Sequence, residues 1–151
     1  MLYKIVLGIH AYAMCAALLL FVANELLLIP ARRGQPGPAR MAFFVSRFAG
    51  LLVGAGVLAG IALVFLGGWS LLTPWLMVSL ALVAALIAVE NKLVRPWATQ
   101  AQAALRGAVS AVEVRAFAGN KRALVGRLTM ITLFALIVAL MATKPELNPF
   151  A

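Results

Sequence analysis

The chain contains no aspartate, one histidine, one cysteine and only four acidic residues among 151. Each shortage closes a route. With no Asp, and no activated nucleophile that can be set beside His10, a Ser-His-Asp hydrolytic triad is excluded. Cys15 lies inside an apolar run without a second cysteine, so there is no intrachain disulfide framework. Nor does it read as a lipidation site, because the bulky Met14 precedes it. Charged residues make up 11% of the chain, less than half the roughly 25% of a soluble domain.

Apolar surface, by contrast, is abundant. At 65% hydrophobic residues, the chain has more than a core of this size can absorb, so lipid must cover the rest. A spanning helix needs about 20 apolar residues, and the sequence offers four such runs. The expectation is an all-α polytopic membrane four-helix bundle, one membrane domain over residues 1–151, with the lipid bilayer as its first partner.

The first span reads from about 2 to 29, is expected to halt at Pro30, and is expected to be retained, since a cleaved signal has an apolar stretch of only about 7–15 residues. Residues 31–40, dense in Pro, Gly and Arg, read as a solvated loop. The second span covers about 41–66 and stops at Gly67-Gly68-Trp69. Pro74 and Trp75 open the third, about 75–94, which Arg95 and Pro96 close. The fourth covers about 124–143, ahead of a tail from Lys144 to Ala151.

Thirteen Lys and Arg stand against the four acids, for a net charge of +9. A nucleic-acid surface gathers its cations on a solvated face with aromatic readers among them; here they flank apolar runs, so no nucleic-acid partner is expected. Arg32, Arg33, Arg40 and Arg47 lie near the first connection. Lys92, Arg95, Arg106, Arg115, Lys121, Arg122 and Arg127 lie near the third, which leaves Lys4 and Lys144 for the opposite face. The positive-inside rule then puts residues 30–40 and 95–123 in the cytoplasm and both termini in the periplasm of a bacterial inner membrane. Trp69 and Trp75 mark the outer interface.

Residues 97–117 are too polar to span. Ala101, Leu105, Ala108 and Val112 recur at helical spacing while Gln102, Arg106, Ser110 and Glu113 fall elsewhere, which predicts an amphipathic helix. It either lies on the inner leaflet or extends the third span into the cytoplasm.

Ionisable residues inside a span are expensive and mark candidate sites. Glu25, Arg47, Glu90 and Arg127 stand at similar inner depth, one per span. They can form a neutral network, snorkel to headgroups, or act as coupling and gate residues of a small transporter. On the second span, Gly50 and Gly54 follow Ser46 on one row, and Gly56 and Gly60 form another; small residues so spaced let a neighbouring helix approach closely.

The first span carries the only histidine. Tyr3, His10, Ala17 and Asn24 recur every seven residues, with Met14 one turn on from His10, so a polar and soft stripe runs along one face. Met77 and Met141, near the outer ends of their spans, are expected at a comparable level. Three uses of His10 fit these residue types. It can hydrogen-bond a neighbouring helix, or serve haem or a porphyrin as one axial ligand with a methionine or a second chain as the other. It can also hold copper(I) together with Met14 and Cys15.

His10, Arg47 with Gly50, Gly54 and Gly60, the Gly68-Trp69 turn, Trp75-Leu76 and Arg95-Pro96 together resemble a bacterial family of four-span membrane proteins known as domain of unknown function twenty-two sixty-nine. More distantly, the layout is similar to the membrane protoporphyrinogen oxidase of bacteria and to copper-resistance D domains. That likeness implies a first-span histidine serving haem or metal, and only His10 carries over. The sequence reads best as a small inner-membrane binding or accessory protein, haem- or porphyrin-associated, working as a homo-oligomer or within a larger membrane complex. The alternatives are a membrane redox enzyme using haem at His10, and a small transporter coupled through Glu25, Glu90 and Arg47.

Overall fold

The computed structural model describes residues 1–143; Lys144 and the tail beyond it lie outside the described residues. Four rods are long and apolar enough to cross a membrane: Leu2–Ala31, Pro36–Leu66, Pro74–Leu105 and Lys121–Thr143. Between the last two stands a short helix, Ala111–Ala118. We label α1 Leu2–Ala31, α2 Pro36–Leu66, α3 Pro74–Val89, α4 Arg95–Leu105, α5 Ala111–Ala118 and α6 Lys121–Thr143. Large apolar side chains stand exposed along these rods, Phe65 at 82% and Leu58 at 70%. Only lipid makes that arrangement favourable, and the protein is an integral, multi-pass membrane protein.

The prolines sit differently from the sequence expectation. Pro30 does not stop α1, which runs on to Ala31 with the Arg32 N–H donating to the Leu28 carbonyl at 3.0 Å. The expected loop over 31–40 shrinks to a tight turn over 32–35, because Pro36 and Pro38 occupy the first turn of α2. A proline costs nothing there, since its missing N–H would have no helical partner. Gly34 closes the turn with φ +94°, a conformation that glycine alone adopts cheaply.

Pro96 likewise fails to end the third rod. The helix passes through it to Leu105, and the five residues before Arg95, Glu90–Val94, are wound as a π-helix. Widening the turn there absorbs the ring and the lost hydrogen bond. The predicted single amphipathic helix over 97–117 is therefore divided into the inner end of the third rod and a separate α5. Ser110 starts α5 with a capping box: its Oγ accepts from Glu113 N–H at 3.2 Å and Glu113 Oε2 accepts from Ser110 N–H at 3.1 Å. That signal, Ser-x-x-Glu, stands in the sequence. Asn120 Oδ1 accepts from Ala123 N–H at 3.0 Å and so caps the start of α6.

α1 packs on α2 along its length, and α3 packs on α6. The two pairs meet toward the inner end, where Phe21 and Phe134 lie edge to face at 5.9 Å. Gly126 lets α6 close on the π-helical stretch; a Cβ there would stand 2.7 Å from Leu93 Cβ. The best-buried core is also at this end, around Leu28, Ala31, Ala42, Trp97, Ala101 and Val114. Trp97 organises it. Its Nε1–H donates to the Phe117 carbonyl at 2.7 Å, and its ring lies 5.4 Å from that of Phe43, which ties α4 to both α5 and α2.

Candidate functional site

The α1–α2 seam holds His10. Its Nδ1 is 2.7 Å from the Gly56 carbonyl oxygen. A carbonyl has no hydrogen to give, so Nδ1 is the donor and carries a proton. In the neutral ring the lone pair is then on Nε2. Nε2 is absent from the buried polar atoms that lack a partner, so it is reachable from outside the chain.

Glycine makes room for this arrangement. A Cβ at Gly60 would stand 3.0 Å from His10 Cε1, and one at Gly56 would stand 2.9 Å from Met14 Sδ. His10 and Met14 thus lie in adjacent notches of α2, one turn apart. Ala17 and Asn24 continue the face and are buried, at 0% and 7% exposure. The other glycine row behaves otherwise: nothing lies within 4 Å of where a Cβ on Gly50 or Gly54 would stand. At 100° per residue these two fall on the side of α2 away from Gly56, so they do not serve packing against α1.

The proposed ligand partners of His10 are dispersed. Cys15 is exposed, five residues round the helix from His10, and so points away from the seam; it does not join a copper set with His10 and Met14. Met77 is half exposed in the first turn of α3, on the other helix pair. Met141 is part-buried, and the pairing of Phe21 with Phe134 in antiparallel helices sets it near the level of Met14. Among the described residues no group of three or more His, Cys, Asp or Glu could hold a metal ion. The chain's own residues therefore fit a single imidazole ligand and no closed metal site.

The inner charges are only partly gathered. Arg127 Nε donates to Glu25 Oε1 in a close ion pair, and Arg32 Nη2 stands 4.0 Å from Glu25 Oε2. The Arg127 guanidinium lies flat against Trp97, with Cζ 4.3 Å from the ring centroid. Its two Nη groups are buried without an acceptor, and the indole face supplies the compensation. Arg47 and Glu90 have no ion pair among the described residues. The four-charge network expected from equal depth is in fact a pair, because equal depth does not set equal facing. Trp97 and Arg32 belong to this constellation and were missed as members. The signal for Trp97 was its place as the lone tryptophan of the inner half.

Compared with protein-family models, residues 13–145 match the family described as predicted integral membrane protein (DUF2269). The chain belongs to that family. The Glu25–Arg127 pair, Trp97 and the glycines of α2 all fall within the matched stretch, whereas His10 lies just ahead of it. No curated protein and no solved structure matches the chain.

Proposed function

We propose that this integral membrane protein is a binding or accessory component of the bacterial inner membrane that offers one imidazole, His10, to a ligand of the haem or porphyrin class. The observation that carries the reading is the His10 Nδ1–H bond to the Gly56 carbonyl. A metal-ligating histidine almost always donates its second ring N–H to a carbonyl or carboxylate, which fixes the tautomer and raises the basicity of the other nitrogen. His10 has that arrangement with Nε2 left open. A second axial group has to come from the opposite helix pair, where Met141 stands near the level of Met14, or from another chain.

The termini lie in the periplasm on this reading, since the cations cluster beyond the inner ends of the rods. A transporter gated by Glu25, Glu90 and Arg47 has less to rest on, because the three are not gathered into one site. Protein purified from its native membrane should show an intense absorption band with stoichiometric metal. His10→Ala should bleach that band while the unfolding midpoint in detergent falls only slightly. A colourless, metal-free native preparation, or a band unchanged in His10→Ala, would reduce His10 to a clasp between α1 and α2.

A further inference from the structure

The end of the molecule where the cations gather is short of anions. Among the described residues, the ion pairs are those of Glu25 with Arg127 and Arg32, and Glu113 is engaged in the cap of α5. The fold draws four arginines into one patch there. A Cβ on Gly34 would stand 2.9 Å from Ala111 Cβ and 3.0 Å from Arg115 Nε, so the first turns of α5 rest on the turn between α1 and α2. That contact brings Arg115 beside Arg33. From the start of α2, Arg40 Nη2 donates to the Gly107 carbonyl at 3.5 Å, next to Arg106. All four arginines are exposed, and none has a carboxylate within ion-pair reach among the described residues. On the same short helix Val112 is 72% exposed.

We propose that α5 and the α1–α2 turn form a docking surface for anionic phospholipid headgroups of the adjoining leaflet, with Arg33, Arg40, Arg106 and Arg115 contacting the phosphates. A cluster of this size beside the end of a membrane span is what an anionic leaflet attracts. The exposed valine selects lipid over a soluble anion, because a free phosphate has no apolar phase to cover it. The surface is independent of His10 and stands whether or not that residue binds a ligand.

The test uses the full chain in mixed micelles, with phosphatidylglycerol, phosphatidylcholine or inorganic phosphate added, and reads lipid retained per protein and the shift in unfolding midpoint. Phosphatidylglycerol should be retained and should stabilise; phosphatidylcholine and inorganic phosphate should do neither. One arginine near an anionic surface corresponds to about fivefold in affinity. Arg33→Gln/Arg106→Gln, whose side chains make no hydrogen bond within the fold, should therefore lose roughly 25-fold in phosphatidylglycerol affinity. Lys121→Gln/Arg122→Gln, at the other end of α5, should stay within about twofold by the same rule. Equal retention of the two lipids, an equal loss in both double variants, or stabilisation by inorganic phosphate alone would overturn the proposal.

Discussion

Alanine substitutions at three glycines of α2 should separate by sign. At Gly60 a Cβ would stand 3.0 Å from His10 Cε1 and 3.2 Å from Nδ1, closer than the roughly 3.5–4.0 Å of an ordinary contact. The ring has to retreat by about half an ångström, and its 2.7 Å bond to the Gly56 carbonyl lengthens with it. Losing that bond costs about 0.5–1.5 kcal/mol, and crowding a packed seam costs about 1–3 kcal/mol. Alanine's better helix propensity returns at most about 1 kcal/mol. The net expectation is a loss of about 1–3 kcal/mol.

Gly54→Ala meets nothing within 4 Å, so only the propensity gain remains and the variant should be neutral or slightly stabilised. Gly56→Ala meets the Met14 thioether at 2.9 Å, but methionine has three soft torsions and can yield; it should fall between the two. Unfolding midpoints in a fixed detergent provide the ranking. A cycle with His10→Ala provides the cause, because removing the ring should make Gly60→Ala harmless. If Gly54→Ala cost as much as Gly60→Ala, the assignment of the two rows would be refuted.

The Glu25–Arg127 pair should behave as a coupled unit. Either partner changed to Gln should lose about 3–5 kcal/mol by stranding a buried charge, and the double variant should lose less than the two singles added. Strict additivity in chemical unfolding would refute the coupling. Topology reporters fused at Gln35 and between Arg106 and Ser110 should read as cytoplasmic, and at Ser70 as periplasmic; a periplasmic signal from the 106–110 link would invert the orientation.

The spans were legible because lipid imposes a simple demand, a long apolar run, and four rods answer it. Their ends were less legible. Pro30, Pro36 and Pro96 each look like a stop, yet the first lies in a last turn, the second in a first turn, and the third follows a π-helical stretch that makes room for it. Composition carries no record of that local choice. The same limit applies to the sites. Gly50-x-x-x-Gly54 and Gly56-x-x-x-Gly60 are equivalent as patterns, and what selects between them is the bulk of His10 and Met14 on the facing helix. Depth placed four charges together, but helical phase turned Arg47 to the side of α2 away from α1.

The π-helical stretch Glu90–Val94 has a consequence for how the family tolerates insertions and deletions. A π-turn is an α-helix holding one surplus residue. Removing any one residue between Val89 and Arg95 would let the rod close as ordinary α-helix without disturbing its apolar character. It would also rotate everything beyond by about 100°, carrying the indole of Trp97 off Arg127 and away from Phe43 and the Phe117 carbonyl. A deletion invisible to any hydropathy profile would thus unlatch α5 and strand the buried guanidinium. Length in this segment is constrained more tightly than identity, and relatives that keep the inner core should vary its residues while preserving their number.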